Sequence, residues 1–147
     1  MPKATVRLGK DGYRSTINSR HHVYYTDEPE DGGGADSAAT PSEMLAGALG
    51  GCIAVTLKLY ANRKKWPLEG VDVVVEFERF NGADYDDYDG DAAYVHEFRE
   101  TITLHGPLTE DQKARLMEIA TKCPVRRAIS TPAFFKEQMA DTEGQPE

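Results

Sequence analysis

Alternating apolar and polar residues near the start of the chain predict a small antiparallel sheet. Val6 and Leu8 form one alternating segment, and residues 13–18 form the next. Between them lies Lys10-Asp11-Gly12, and an Asp-Gly pair supplies the positive φ angles that a tight hairpin turn needs. Residues 20–26 continue the alternation, so we expect a third strand there.

A second alternating region predicts a long hairpin. In residues 71–78 apolar residues alternate with acidic ones, with Val74 as the exception on the outer face, and Phe98, Ile102 and Leu104 resume the alternation in the partner strand. A loop rich in Asp, Gly and Tyr at residues 81–91 separates the two strands. The buried positions are expected to be Val71, Val73, Val75, Phe77, Phe98, Ile102 and Leu104.

Between these regions the pattern is that of a helix that is apolar nearly all round. Thr40 and Glu43 form a Thr-x-x-Glu capping box and Pro41 suits the first helical position, so the helix begins here. Trp66-Pro67 ends the helical stretch. Such a helix belongs in the middle of a domain or at an interface. Close approach by another backbone or a ligand is expected at its glycines, Gly47, Gly50 and Gly51.

Two further helices are predicted near the carboxyl end. Thr109 and Gln112 open an amphipathic helix with a second capping box. Lys122-Cys123-Pro124 ends it, and Pro124 suits the first position of a short helix through Ile129, with Cys123 at its amino end. We expect residues 141–147, which are polar, to form a frayed tail.

The order of the predicted elements indicates an α+β domain. Strands, a long helix, strands and then helices follow one another without alternating βαβ units. The 147 residues are typical of one domain that can bury a core. We therefore expect a single domain over residues 1–147.

Charge and composition argue against several classes of function. The formal net charge is -8, and no run of five Lys or Arg residues offsets it. The overall field therefore repels nucleic acid and anionic lipid. No apolar run reaches the roughly 18–20 residues that span a bilayer, and the start of the chain lacks a secretory signal. We expect a cytoplasmic protein that binds neither nucleic acid nor membrane.

The motifs indicate neither a metal nor a cofactor. The four histidines lack the His-Glu-x-x-His and Cys-x-x-Cys patterns of metal sites. Gly32-Gly33-Gly34 is not followed by the Lys-Ser/Thr pair of a phosphate-binding loop. We expect no metal and no cofactor.

The only two cysteines, Cys52 and Cys123, are the residues best suited to chemistry. A thiolate can attack a peroxide to give a sulfenic acid, and a second thiol can condense with that acid to a disulfide. A helix amino end and the neighbouring Arg126 and Arg127 favour the thiolate of Cys123. Residue chemistry alone therefore makes Cys123 the attacking sulfur, while Cys52 could simply be a buried apolar residue.

Activation of Cys52 would need an arginine from elsewhere in the fold. Arg14 and Arg20 on the early strands are the candidates, and we favour Arg20, although each could equally face solvent. Glu43 could hold such an arginine, but the ordinary role of the third residue in a capping box is favoured. The two roles of Glu43 do not exclude each other.

Several motifs together resemble the OsmC/Ohr superfamily, and its OsmC-like branch in particular. They are Asp27-Glu28-Pro29, Thr40-Pro41-Ser42-Glu43-Met44-Leu45, Ala48-Leu49-Gly50-Gly51-Cys52, residues 59–69, residues 116–120 and Cys123-Pro124-Val125. The resemblance implies an intertwined homodimer of curved antiparallel sheets around two long central helices. It also implies active sites at the dimer interface.

The resemblance further implies that Cys52 attacks organic hydroperoxides and Cys123 resolves the product, the reverse of the order inferred from helix ends. It implies a dithiol reductant, with dihydrolipoyl groups serving in the family. Three positions depart from the hydroperoxide-resistance branch. Ser42 stands where that branch has its glutamate, residues 9–12 contain no arginine, and Arg126 replaces a histidine that commonly follows Cys-Pro-Val.

Our leading hypothesis is a thiol-dependent peroxidase that reduces organic hydroperoxides to alcohols through Cys52 and Cys123. The alternative is a protein of the same fold that binds a small apolar ligand or stress metabolite without chemistry. A third reading makes the two cysteines a structural disulfide, which would stabilise the fold by about 4 kcal/mol.

Overall fold

The computed structural model describes residues 1–140 and has α+β architecture, as predicted. The predicted tail at residues 141–147 lies outside the described residues. Two short 3-10 helices, Glu30–Gly32 and Gly82–Asp84, interrupt the connections. The main elements in chain order are β1 (Thr5–Leu8), β2 (Ser15–Ser19), β3 (His22–Thr26), α1 (Pro41–Lys64), β4 (Gly70–Asn81), β5 (Tyr94–His105), α2 (Glu110–Ala120) and α3 (Pro124–Ser130).

Strands β1, β2 and β3 form the predicted antiparallel sheet in sequence order. The expectation that β3 begins at Arg20 is wrong, because Ser19 pairs with His22 and Arg20 lies in the turn between them. Arg20 has a φ of 57°, a left-handed conformation suited to a tight turn. The strand therefore begins at His22.

Helix α1 begins with the predicted capping box. The Glu43 N–H donates to Thr40 Oγ1 at 3.2 Å, and the Thr40 N–H donates to Glu43 Oε2 at 2.8 Å. The helix ends at Lys64, and Lys65 follows in a left-handed conformation with a φ of 58°. Helical structure therefore stops slightly before Trp66-Pro67.

Strands β4 and β5 form a two-stranded antiparallel sheet that packs against α1. The predicted alternation is present, since Val73 pairs with Ile102 and Phe77 stacks on Phe98 with ring centroids 4.8 Å apart. Gly50 of α1 faces β4, and a Cβ there would lie 3.4 Å from Val75 Cγ2, an ordinary van der Waals contact. The helix and hairpin thus pack directly against each other at this position.

The core lies between α1, α2 and the β4–β5 hairpin. One side of α1 is buried in it, and α2 packs on that helix. Its buried apolar residues are Leu49, Ile53, Leu57, Ala61, Leu68, Leu108, Leu116, Ile119, Ala120 and Cys123.

Apolar surface remains exposed on two other parts of the chain. Every residue of β1 is exposed, and Val6 and Leu8 keep 59% and 53% of their surface accessible. On the outer side of α1, Val55 and Leu59 keep 59% and 58% of their surface accessible to solvent. The β1–β3 sheet contributes no residue to the core described above. Within residues 1–140, these surfaces have no apolar cover.

By length and composition alone, α1 could cross a membrane, although it contains no uninterrupted apolar run of the length that a bilayer requires. The core helix of a soluble protein meets the same criterion. Leu49, Ile53 and Leu57 of α1 are fully buried against the rest of the chain. Their packing is that of a core helix.

The capping box predicts the effect of one substitution on stability. Thr40→Ala removes the oxygen that accepts from the Glu43 N–H, so the free energy of unfolding should fall by about 1 kcal/mol. Urea unfolding followed by circular dichroism measures it. Thr40→Ser is the matched control and should stay close to wild type. An alanine variant as stable as wild type would show that the cap contributes nothing.

Candidate functional site

Cys52 and Cys123 lie side by side in the fold. Cys52 sits on α1 and is partly buried, whereas Cys123 immediately precedes α3 and is fully buried. The Cys52 thiol packs against the core cluster that contains Cys123 and lies near enough to the Cys123 thiol to raise its pKa. Both are free thiols. The structure thus brings together the two residues that the sequence selected.

Local sequence places Cys123 where it can meet Cys52. Helix α2 packs its Leu116, Ile119 and Ala120 into the core and ends at Ala120. The Cys123 N–H then donates to the Ala120 carbonyl at 3.4 Å, and Pro124 starts α3 as predicted. Cys123 is therefore the N-cap of a helix, with its side chain turned into the core.

Burial raises the pKa of the Cys123 thiol, and the nearby Cys52 adds to that rise. The N–H of Arg126, 3.3 Å from the sulfur, acts in the opposite direction without overcoming it. The expectation that the helix end and two arginines make Cys123 the thiolate is therefore wrong. Loss of hydration outweighs the amino end of a seven-residue helix.

The side chains of the neighbouring Arg126 and Arg127 make no hydrogen bond to the Cys123 sulfur. The Arg126 guanidinium donates to Glu100 Oε2 on β5 at 2.9 Å. Arg127 is exposed on the next position of α3. The two arginines are close to Cys123 in sequence, but the guanidinium of Arg126 pairs with Glu100 and Arg127 is exposed to solvent. Their influence on the Cys123 thiol is therefore smaller than the sequence predicts.

Glu43 occupies the capping box and lies far round α1 from Cys52. Nine positions separate them, which at about 100° per residue puts their side chains on opposite faces of the helix. Glu43 borders an open groove between α1 and β4 whose floor includes Gly47 and Gly50, and Cys52 does not line it. Within one chain, the structure does not bring Glu43 to the cysteine.

Arg20 also lies apart from the cysteine pair within one chain. It borders a cavity between the β2–β3 turn and the first residues of the chain, including Met1, Lys3 and Asn18. Neither cysteine lines that cavity.

Arg14, the other early arginine, organises the loop that precedes α1. Its Nη1 donates to Ser37 Oγ at 2.7 Å, and its guanidinium carbon lies 4.1 Å from the centre of the Tyr25 ring. Ser37 Oγ in turn donates to the buried carboxylate of Asp27 at 2.6 Å. The pKa of Asp27 is lowered, chiefly by this bond. The only sequence signal for this network is the Asp-Glu-Pro motif at residues 27–29, which does not predict a role for Arg14 or Ser37.

A cavity of about 760 Å³, lined by both apolar and polar side chains, includes residues one helical turn from each cysteine. Leu49, one helical turn before Cys52, lines it together with the aromatic residues Phe77 and Phe98. Arg126, one turn after Cys123, and its partner Glu100 are the charged groups in the lining. The cysteines themselves do not line the cavity. A small apolar molecule could therefore be held adjacent to the thiols.

A metal centre finds no support in the described part of the chain. Among residues 1–140, no three His, Cys, Asp or Glu side chains are grouped as a metal ion would require.

Comparison with solved structures identifies the fold. The chain is similar to a Psychrobacter arcticus protein classed with osmotic stress-induced and detoxification response proteins, at TM-score 0.69 and 21% identity over 87% of this chain and 88% of that one. It is also similar to an organic hydroperoxide resistance protein OsmC from Legionella pneumophila, with a TM-score of 0.64 and 19% sequence identity over 88% of this chain and 89% of that one. A third similar structure is that of an organic hydroperoxide resistance protein from Elizabethkingia anophelis, with a TM-score of 0.65 and 19% sequence identity over 88% of each chain.

Comparison by sequence identifies the family. No curated protein matches the chain. The family model described as OsmC-like protein matches residues 33–138, a stretch that begins in the loop before α1 and includes both cysteines. This is most of the chain, and the structural neighbours share the resulting α+β fold. The chain therefore belongs to the OsmC-like family of the OsmC/Ohr superfamily.

Proposed function

We propose that this protein is a thiol-dependent peroxidase that reduces organic hydroperoxides to alcohols. The observation that carries the proposal is the meeting of its only two cysteines as free, neighbouring thiols. Membership of the OsmC-like family supports a role connected with peroxides or stress. The Legionella and Elizabethkingia neighbours are organic hydroperoxide resistance proteins.

Cys52 is the proposed attacking residue. It is the more accessible of the two sulfurs, since Cys123 is fully buried and its pKa is raised. The Cys52 thiolate would bond to the outer oxygen of the hydroperoxide as the O–O bond breaks. The alkoxide leaves with a proton as an alcohol, and Cys52 becomes a sulfenic acid.

Cys123 is the proposed resolving residue. Its sulfur would bond to that of Cys52, and the sulfenic hydroxyl would leave with the Cys123 proton as water. A dithiol, for which we propose a lipoyl-type group, would then reduce the disulfide and restore both thiols. We propose that this cycle runs in the cytoplasm.

The cavity near the cysteines supports an organic substrate. Its apolar side includes Leu45, Leu49, Phe77 and Phe98, and its polar side includes His96, Ser130 and the Arg126–Glu100 pair. A hydrophobic substituent gains free energy by entering such a site, whereas hydrogen peroxide has no group to bury there.

We propose that the working form is a homodimer. A second copy could cover the apolar residues left exposed on β1 and on the outer side of α1. Since Glu43 and Arg20 do not reach Cys52 within one chain, we propose that any catalytic contribution of theirs is made across the dimer interface. Glu43 would keep its capping role in either case.

The proposed cycle predicts the products of a single turnover. Reduced wild-type protein treated with one equivalent of cumene hydroperoxide should lose two hydrogens in intact-mass analysis. Cys123→Ser should gain one oxygen at Cys52, because the sulfenic acid has no resolving thiol. Cys52→Ser should stay unmodified and serves as the control.

One outcome would favour a different function. If wild-type thiols stay unmodified, the cavity of about 760 Å³ supports the second candidate, binding of a small apolar ligand without chemistry. That reading expects a ligand bound equally well by wild type and by the double variant Cys52→Ser/Cys123→Ser.

The raised pKa of Cys123 predicts its titration. In the Cys52→Ser variant burial persists, so Cys123 should form thiolate only at a pH above the ordinary thiol range. The same variant unfolded in urea should titrate at the ordinary value. Ultraviolet absorbance of the thiolate measures both. A folded-state midpoint at or below the unfolded one would contradict the role of burial and return Cys123 to the attacking role.

The homodimer predicts that charge on α1 blocks association. Val55→Glu/Leu59→Glu places carboxylates on side chains that are exposed within one chain, so each chain should still fold. Sedimentation should show a dimer for wild type and monomers for this variant. Thr103→Glu, an exposed change on β5, is the control. A wild-type monomer with full peroxidase activity would refute the proposed assembly.

A further inference from the structure

One ion pair joins the short helix α3 to strand β5. Arg126 Nη1 donates to Glu100 Oε2 at 2.9 Å, and the Glu100 side chain is only 13% exposed. Within residues 1–140, it is the only salt bridge between a helix and a strand. A charge-assisted bond with one largely desolvated partner is stronger than an exposed pair.

The same arginine contacts the buried cysteine through its main chain. The Arg126 N–H donates to Cys123 Sγ at 3.3 Å. Residue 126 therefore holds the sulfur with its backbone and the sheet with its side chain. A displacement of this residue would move the hydrogen-bond donor that orients the thiol.

Helix α3 has few other anchors. It has seven residues, none of them buried, and Val125 is its only residue packed against the core cluster. Strand β5 is fixed by contrast, because all twelve of its residues pair with β4. The Arg126–Glu100 pair thus attaches a weakly held turn to a well-held strand.

We propose that Arg126 and Glu100 are positioning residues for the second step of the cycle. The pair holds the first turn of α3 so that the Cys123 thiol faces Cys52 when Cys52 is a sulfenic acid. This inference rests on the proposed peroxidase function. In that step the S–S bond forms, the S–O bond of Cys52 breaks, and hydroxide leaves with the Cys123 proton as water.

The inference has a distinctive chemical consequence. The sulfenic acid of Cys52 can react with Cys123 or, in excess hydroperoxide, be oxidised further to a sulfinic acid. Loss of the ion pair should slow only the first of these reactions. The fraction of sulfinic acid therefore reports the position of Cys123 separately from the reactivity of Cys52.

The test compares Arg126→Gln and Glu100→Gln with wild type by time-resolved intact mass after excess cumene hydroperoxide. We expect the rate of disulfide formation from the sulfenic acid, measured relative to the first oxidation of Cys52 in the same variant, to fall about tenfold by the loss of alignment, with accumulation of sulfinic acid. The double variant should be no slower than either single variant, because both remove one interaction. Arg126→Lys should restore resolution, since a lysine can still pair with Glu100.

Arg127→Gln is the matched control, with the same charge change on the same helix at an exposed position, and should resolve like wild type. Circular dichroism checks that every variant is folded. Disulfide formation at the wild-type rate in both Arg126→Gln and Glu100→Gln, or equal slowing in Arg127→Gln, would overturn the inference alone. Wild-type Cys52 that stays a thiol would instead overturn the peroxidase proposal.

A second oxidant separates positioning from peroxide chemistry. Diamide oxidises two thiols to a disulfide and is itself reduced to a hydrazine, through an adduct on the first sulfur. We expect the adduct to persist longer in Arg126→Gln and Glu100→Gln than in wild type or Arg127→Gln. Equal lifetimes in all four proteins would show that the ion pair does not align Cys123.

Discussion

The packing of α1 against the β4–β5 hairpin is the contact on which the site depends. Gly50 of the helix faces Val75 of β4, and Ile53 and Leu57 on the same side of the helix fill the space towards α2. Cys52 is carried between Gly50 and Ile53, so its place relative to the sheet is fixed by this packing. Helix α2 packs on the same helix and delivers Cys123 at its end.

Most of this arrangement follows from local sequence signals. The two capping boxes and Pro124 set the beginnings of the three helices, and alternation set the long hairpin. The sequence could not predict where individual side chains point in the folded chain. Arg126 is next to Cys123 along the chain, but its side chain crosses to Glu100. Arg20 continued a strand pattern, but the turn required it in a left-handed conformation.

Burial was the least predictable quantity, and it changed the chemistry most. A helix amino end stabilises the charged form of a group by about 0.3–1 kcal/mol. Burial in apolar surroundings can destabilise the charged form by a larger free energy than that. Burial is equally hard to predict for the apolar residues of β1 and α1 that are exposed in one chain. Hydrophobic patterning identifies positions that need cover, but it does not say whether the cover comes from the same chain.

The unequal burial of the two sulfurs suits a two-step cycle. The first step needs a thiolate that a hydroperoxide can reach, and Cys52 is the more accessible sulfur. In the second step the leaving hydroxide must be protonated, and a Cys123 thiol that keeps its proton can supply it. The burial that raises the pKa of Cys123 also keeps hydroperoxide away from its sulfur. A buried resolving cysteine is thus shielded from hydroperoxide, and it reaches the nucleophilic form that the second step needs as its proton passes to the departing hydroxyl.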